Sequence, residues 1–203
     1  MAPDHLIVFV KAPRPGQVKT RLAAAVGDTQ AAEIYLRLLR RTVLAFSELP
    51  QVEVRFAPDE AEAEIRPWVL SPWRRRPQGE GDLGARLRRG FAEAFAGGAQ
   101  RVVVVGSDCP GVERGDIEAA WAALAAHDVV LGPARDGGYW LVGLRAPQPA
   151  LFEEITWGGS AVLRQTRERA AQRGLEVHLL RELADVDTLE DWEAYLRDAR
   201  ARG

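Results

Sequence analysis

Four consecutive valines at positions 102–105 form the stretch of this sequence that most restricts the fold of the chain. A continuous β-branched run is typical of a central strand that helices cover on both faces. Other apolar runs recur along the chain, mostly separated by segments with helical periodicity, and predict strands at 6–10, 52–57, 101–106, 128–132, 139–144 and 175–180. This alternation predicts an α/β fold with a doubly wound, mostly parallel sheet. The first helix is expected to begin at Thr29, acting as its N-cap.

Length and composition fit one domain that spans residues 1–203. The net charge of −2 favours neither a disordered chain nor a surface that binds nucleic acid. Cys109 is the only cysteine, which excludes an intramolecular disulfide and fits a reducing compartment. No apolar run approaches membrane-spanning length, so we expect a soluble, cytoplasmic protein with no membrane partner.

A basic loop follows the first predicted strand and has the sequence KAPRPGQVKTRL from Lys11 onwards. Lys11 and Lys19 are the only lysines among 27 basic residues, and a flexible ammonium group suits a phosphate ligand. Together with Arg14 and Arg21, and with Pro13 and Gly16 to shape the backbone, they predict binding of a nucleotide di- or triphosphate. The spacing is not that of a P-loop, and no GxGxxG fingerprint follows the strand. The alternative interpretation is a solvated basic turn.

Carboxylates follow later strands, and in sheets of this kind ligands bind at the carboxyl ends of the strands. Asp108 comes just after the valine strand, where its oxygens would suit Mg²⁺ bound to substrate phosphates. Alternatively, Asp108 only stabilises the turn before Pro110. Asp185 and Asp187 precede the last predicted helix, where either could bind the metal or merely complement the helix N-terminus. Cys109 has no partner motif and is predicted to be a buried packing residue.

A glycine-rich segment opens the helix predicted after residue 82. Asp82 is the expected cap of this helix, and Gly81 precedes it in the turn. Gln78 could read the edge of a base and Arg86 could bind a phosphate. Capping by Asp82 alone explains part of this pattern without any ligand.

A second glycine-rich segment consists of Asp136, Gly137, Gly138 and Tyr139. A carboxylate in a flexible turn ahead of an apolar strand would let the backbone approach a ligand closely. A tight hairpin is the alternative. Trp157 could form an aromatic wall for an acceptor, although a tryptophan of this kind more often belongs to the core.

Six motifs occur in the order in which a known superfamily has them: KAPRPGQVKTRL, QGEGDLGARL, VVVVGSDCPG, GPARDGGYWLVGL, ITWGGSAVLRQT and DVDTLEDW. Over nearly the whole chain they resemble the GT-A-fold nucleotide-diphospho-sugar transferases, and within them the bacterial radical-SAM/selenodomain-associated transferases. The chain is more distantly similar to the molybdenum cofactor and phospholactate nucleotidyltransferases. The resemblance implies a Rossmann-like GT-A fold with three α/β/α layers, and Mg²⁺ or Mn²⁺ on Asp108 with either Asp185 or Asp187. The DxD pair of many GT-A glycosyltransferases is absent, because a Gly-Ser-Asp sequence ends at Asp108.

The residues and the resemblance together predict a metal-dependent transferase that uses a nucleotide-activated substrate and a small-molecule acceptor. As a glycosyltransferase with a nucleotide-sugar donor, it would use Asp136 as a base, with the segment from Asp136 to Tyr139 and Trp157 around the acceptor. The alternative is a nucleotidyltransferase for CTP or GTP, in which Lys19 and Arg21 hold the triphosphate and pyrophosphate leaves. A second alternative is a catalytically silent nucleotide-binding partner of another enzyme. The resemblance implies a nucleotide held by the first loop and the Gln78 region, which gives the set Lys11, Pro13, Gly16, Lys19, Arg21, Gln78, Gly81, Asp82 and Arg86.

Overall fold

The computed structural model describes residues 4–201; residues 1–3 and 202–203 of the predicted domain lie outside this range. In the described range seven strands form one sheet. They are β1 (Asp4–Lys11), β2 (Val52–Ala57), β3 (Arg74–Pro77), β4 (Arg101–Gly106), β5 (Val129–Pro133), β6 (Tyr139–Leu144) and β7 (Val177–Leu179). Their order is β3-β2-β1-β4-β6-β5-β7, and only β6 runs antiparallel to its neighbours among these strands. The predicted mostly parallel sheet is confirmed.

Helices cover both faces of this sheet. The α-helices are α1 (Thr20–Val26), α2 (Asp28–Ala45), α3 (Glu62–Ile65), α4 (Leu83–Ala96), α5 (Arg114–Ala123), α6 (Val162–Gln172) and α7 (Leu189–Ala201). Side chains of α2 and α5 pack on one face, and side chains of α4 and α6 pack on the other. The result is the three-layer α/β/α architecture that the resemblance implied.

The central strands divide their side chains between the two faces because successive side chains of a strand point in opposite directions. In β1, Leu6 and Val8 belong to the core under α2 and α5, whereas Ile7 belongs to the core under α4 and α6. The four valines of β4 divide in the same way, two to each core. The prediction from the valine run, a strand covered on both faces, is therefore confirmed.

Strand β1 lies at the point where the strand order reverses. The chain passes from β1 to β2 on one side, and β4 pairs with β1 on the other side. A crevice opens at such a switch point, beyond the carboxyl ends of the strands, and this is where ligands bind in open α/β sheets.

The structure corrects one local prediction and contains two elements that were not predicted, strand β3 and helix α1. Helix α2 begins at Asp28 rather than after Thr29, and the residue before it is Gly27, with φ of 86°. Helix α1 was not predicted, and it shortens the basic loop, which ends at Lys19. Among residues 4–201, no helix is long and apolar enough to cross a membrane.

Candidate active site

A cavity of about 600 Å³ lies over the carboxyl ends of β1 and β4. This volume is in the range of small-molecule sites. One end of the cavity is polar and charged, with Lys19, Arg21, Asp108 and Asp187 in its wall. The other end is lined by the segment that leads into α4 and by apolar side chains of the sheet. The crevice expected from the strand order is thus present.

Lys19 lies at the centre of the charged end. Its side chain is 3% exposed, and its ammonium group donates a hydrogen bond to Asp187 Oδ1 at 2.9 Å and lies 3.1 Å from Asp108 Oδ2. Burial alone would lower the pKa of Lys19, but the two carboxylates outweigh it and raise this pKa above its ordinary value. Lys19 has φ of 50° and immediately precedes α1, so the backbone turns sharply at this residue.

The carboxylates around Lys19 come from two distant parts of the chain. The backbone N–H of Val186 donates to the backbone oxygen of Asp108 at 3.0 Å, which ties the segment before α7 to the end of β4. The side chains of Asp108 and Asp187 are 47% and 41% exposed. Of the two residues that sequence reasoning left open, Asp187 is therefore the one that lines the cavity and contacts Lys19.

Asp185 is half-buried and is not in the cavity wall. Burial, followed by the negative charges of Asp108 and Asp136, raises the pKa of its carboxyl to about 7. Burial also raises the pKa of Cys109, whose thiol donates to the backbone oxygen of Ala184 at 3.3 Å. Cys109 is free and belongs to the core under α2 and α5, so the prediction of a packing residue is confirmed.

The carboxylate oxygens of Asp108 and Asp187 are hard ligands that face a cavity. Mg²⁺ is commonly held by one or two carboxylates together with phosphate oxygens of a substrate, and these two side chains fit that pattern. No group of three or more His, Cys, Asp or Glu side chains in residues 4–201 is arranged to hold a metal ion. A cation here would therefore depend on oxygens from a substrate.

Only part of the segment 11–22, which comprises the basic loop and the start of α1, lines the cavity. Lys11 and Arg21 line the cavity, and Arg21 Nη1 lies 3.9 Å from Asp187 Oδ2. Pro13 and Gly16 are not in the cavity wall; Gly16 has φ of 78° and lies against the carboxylate of Asp28. The two ends of the loop predicted to bind phosphate thus line the cavity, and its middle does not.

The part of the cavity wall near α4 is stabilised by hydrogen bonds of Gln78. The amide nitrogen of Gln78 donates to the backbone oxygens of Val10 and Arg55, at 2.9 and 3.0 Å. Its amide oxygen accepts a hydrogen bond from Arg86 at 3.1 Å. Both amide hydrogens are engaged, so Gln78 orients Arg86 rather than offering its amide to a base as predicted.

Helix α4 is capped as the sequence predicted. Asp82 accepts a hydrogen bond from the backbone N–H of Ala85 at 2.8 Å, which confirms the cap. Gly81 and Leu83 flank Asp82 in the cavity wall. Leu83 is unusual for a large apolar residue because it is exposed, and it adds an apolar surface to the cavity wall.

The segment proposed for the acceptor forms a tight connection between the antiparallel strands β5 and β6. Asp136 accepts a hydrogen bond from the N–H of Gly138 at 2.8 Å, as in a hairpin turn. Gly137 has φ of 89°, and a Cβ there would lie 2.1 Å from the backbone oxygen of Ser160. The close backbone approach expected at this glycine is therefore made by the protein itself. Of this segment, only Tyr139 lines the cavity.

Trp157 also lies away from the cavity, where the sequence suggested that it could form a wall for an acceptor. Its indole packs against Gly84 at the start of α4, where a Cβ would lie 2.8 Å from Nε1. It belongs to the edge of the apolar core under α4 and α6. Trp157 is absent from the cavity wall, and the core interpretation of this residue is the better one.

Sequence reasoning missed Tyr35, whose hydroxyl is buried between β1 and β4. The hydroxyl contacts the backbone of Lys11 and the side chain of Ser107. No motif in the sequence pointed to Tyr35, because its contacts come from residues far away along the chain.

Comparison with known proteins identifies a matching family model and relatives that are named as guanylyltransferases. A family model described as "Uncharacterized protein conserved in bacteria (DUF2064)" matches residues 41–159. The phosphoenolpyruvate guanylyltransferase of Sphaerobacter thermophilus is 31% identical over 199 residues, which cover 92% of this chain and 90% of that protein. The 3-phospho-D-glycerate guanylyltransferase of Phenylobacterium zucineum is 31% identical over 191 residues, covering 85% and 81%.

A solved structure also matches almost throughout. A crystal structure from Desulfovibrio desulfuricans G20, described as that of a candidate nucleotide-diphospho-sugar transferase, has 33% identity and a TM-score of 0.92. The match covers 98% of this chain and 88% of that chain. These similarities confirm the fold and support a transferase rather than a catalytically silent protein. The narrower resemblance to radical-SAM/selenodomain-associated transferases stays a prediction.

Proposed function

Because this chain belongs to the DUF2064 family and is similar over most of its length to two guanylyltransferases, we propose that it is a nucleotidyltransferase. The proposed reaction transfers the guanylyl group of GTP to the phosphate of a small phosphorylated carboxylic acid. The observation that carries the proposal is the similarity to those two relatives over more than four fifths of both chains in each pair. The acceptors in their names, phosphoenolpyruvate and 3-phosphoglycerate, are both three-carbon acids with one phosphate and one carboxylate.

In this reaction an oxygen of the acceptor phosphate attacks the α-phosphorus of GTP. The bond from that phosphorus to the oxygen bridging to the β-phosphate breaks, and pyrophosphate leaves with both electrons of the bond. A phosphate monoester has a second pKa of about 6, so near pH 7 the attacking oxygen carries no proton. No general base is needed, and Asp136 has no role as a base in this version of the chemistry.

The charged end of the cavity suits this transfer because negative charge must be stabilised there. Lys11, Lys19 and Arg21 would hold the triphosphate through charge-assisted hydrogen bonds. Asp108 and Asp187 would hold Mg²⁺ or Mn²⁺, which would supply charge neutralisation at the phosphates when bound. Fixed positive groups at the leaving pyrophosphate act by electrostatic stabilisation, since they are in place before the charge develops.

A glycosyltransferase with a nucleotide-sugar donor is the second candidate. It is favoured by the description of the structurally similar protein from Desulfovibrio desulfuricans. In that reaction a nucleoside diphosphate leaves, and Asp136 could serve as a base for an acceptor hydroxyl. The exposed position of Asp136 at a turn outside the cavity wall gives this role little support.

The two candidates release different products, which allows one experiment to separate them. The purified protein is incubated with Mg²⁺ and GTP or CTP, and with phosphoenolpyruvate, 3-phosphoglycerate or no acceptor. Parallel samples contain nucleotide sugars in place of triphosphates. We expect pyrophosphate only with GTP and a phosphorylated acid, and a new diphosphate linkage in the ³¹P NMR spectrum. Release of a nucleoside diphosphate from a nucleotide sugar, without any pyrophosphate from GTP, would reject the proposal.

A further inference from the structure

Strands β1 and β4 separate just before the cavity. Their pairing ends at Phe9 and Gly106, while β1 continues to Lys11 along β2. The N–H and the carbonyl of Lys11 are therefore left without a partner strand on the β4 side. Buried backbone groups of this kind need hydrogen-bond partners.

The hydroxyl of Tyr35 is the hydrogen-bond partner of these backbone groups. It accepts a hydrogen bond from the N–H of Lys11 at 2.8 Å and lies 3.1 Å from the carbonyl oxygen of the same residue. It also lies 3.1 Å from Ser107 Oγ, one residue before Asp108. One hydroxyl thus joins the last residue of β1 to the residue that precedes the candidate metal ligand.

The hydrogens of this cluster can be assigned. A tyrosine hydroxyl has one hydrogen to donate. If Tyr35 donates it to the carbonyl of Lys11, the hydroxyl of Ser107 donates to Tyr35, and all three contacts are satisfied. Burial, followed by the negative charge of Asp108, raises the pKa of Tyr35 above its ordinary value, so the hydroxyl keeps its hydrogen.

The side chain of Tyr35 is also part of the cavity wall, beside the charged end. Tyr35 and Ser107 are both buried.

We propose that Tyr35 is a positioning residue that sets the distance between the basic loop and Asp108. Its hydroxyl bridges β1 and β4 where they separate, so it holds the phosphate-binding and cation-binding halves of the site in register. The consequence for turnover depends on the proposed guanylyl transfer, whereas the consequence for ligand binding does not.

The test compares Tyr35→Phe with Thr42→Val. Thr42 lies on the same helix and is buried, and among residues 4–201 its hydroxyl bonds only to the carbonyl of Leu38 within that helix. The dissociation constants for Mn²⁺ and for GTP with Mg²⁺, kcat and KM for GTP, and the Tm are measured for both variants. We expect Tyr35→Phe to weaken both ligands at least threefold and to lower kcat/KM about tenfold. Thr42→Val should change the Tm without changing either binding constant.

A double substitution separates positioning from general destabilisation. If Tyr35 acts through Ser107, Tyr35→Phe and Ser107→Ala should together cost much less than the product of their separate effects on kcat/KM. Wild-type affinities in Tyr35→Phe, or effects that multiply fully, would overturn the proposal. Binding without turnover in the wild type would reject guanylyl transfer and leave the binding comparison as the test of Tyr35. Failure of the wild type to bind either ligand would overturn both proposals.

Discussion

Lys19 and Arg55 are each buried between two carboxylates, and they lie at different places on the sheet. Lys19 lies between Asp108 and Asp187 at the cavity. Arg55 lies between Glu53 and Glu93 on the face covered by α4, donating at 2.6 and 2.7 Å. A buried ion pair therefore does not by itself indicate a functional site.

The difference lies in the carboxylates. Of the two partners of Arg55, Glu93 is 40% exposed but Glu53 is only 5% exposed and is held within the sheet, whereas both partners of Lys19 are more than two fifths exposed and line the cavity over β1 and β4. The planar guanidinium of Arg55 is fixed by its hydrogen bonds, and an ammonium on a flexible stem can move to a new partner. The Arg55 cluster has the features of a structural network, and the Lys19 cluster those of a site that exchanges partners with a ligand.

The largest expected effect comes from Arg55→Met, which would leave Glu53 buried without its cation. Removing one partner of a buried pair costs about 3–5 kcal/mol of the free energy of unfolding. Arg76→Met is the matched control, since Arg76 also contacts Glu53 and Glu93 but is 50% exposed, and it should cost less than about 1 kcal/mol. Denaturant unfolding of the wild type and of both variants measures these losses of the free energy of unfolding. Equal losses in the two variants would contradict the structural assignment of Arg55.

The sequence predicted the fold well because local patterns determine it. The valine run and the apolar segments placed the central strands, and the rule that ligands bind at strand ends placed Asp108 near the basic loop. The burial of Arg55 and the contacts of Tyr35 depend on residues far apart in the chain. No local pattern encodes such contacts.

The same limit applies to the candidate site. The hydrogen bonds that occupy Gln78 come from Val10, Arg55 and Arg86, so its sequence neighbours gave no sign that its amide is already used. Which of Asp185 and Asp187 lines the cavity depends on the path of the backbone just before α7, and the sequence does not show this path. Trp157 was assigned to the acceptor because the approach of Gly84 to it could not be foreseen.

The second prediction concerns the pH dependence of stability, because the carboxyl pKa values of Asp185 and Glu93 are shifted in opposite directions. Because burial raises the pKa of Asp185 to about 7, the folded protein holds a proton that the unfolded chain releases near pH 4. The folded state binds more protons in this window, so stability contributed by this group falls as pH rises from about 4 to 7, by on the order of 2–4 kcal/mol. The pKa of Glu93 is lowered instead, because Arg55 and Arg76 outweigh the effect of its burial, so its contribution is lost as pH falls.

Unfolding of the wild type and of Asp185→Asn at pH 5 and pH 8, in a chelating buffer, measures this effect. Asp185→Asn should be more stable than the wild type at pH 8, and the gap should shrink at pH 5. A gap of the same size at both pH values would show that Asp185 does not titrate in this window.

A smaller effect on stability is expected for Lys19→Met. Its carboxylate partners reach solvent, so the loss should be about 1–2 kcal/mol, below that of Arg55→Met. Removal of the ammonium also frees both carboxylates for another cation. We expect Mn²⁺ alone to bind severalfold more tightly to this variant, as measured by electron paramagnetic resonance, and GTP to bind more weakly.

Lys11→Met is the control for this prediction, since Lys11 lines the same cavity but forms no ion pair with Asp108 or Asp187. It should leave the affinity for Mn²⁺ alone nearly unchanged. Weaker Mn²⁺ binding in Lys19→Met would mean that Lys19 supports the cation rather than competing with it.

The most direct test of the central claim is Asp108→Asn. Asp108 is half exposed, so the substitution should change the Tm little, while it removes a charged oxygen from the cavity end proposed for the cation and the triphosphate. The measurement is GTP affinity with and without Mg²⁺, together with release of pyrophosphate in the presence of phosphoenolpyruvate or 3-phosphoglycerate. We predict loss of the Mg²⁺-dependent part of the affinity and a decrease in pyrophosphate release of at least about a hundredfold. Affinity and release at wild-type levels would contradict the assignment of this cavity as the active site.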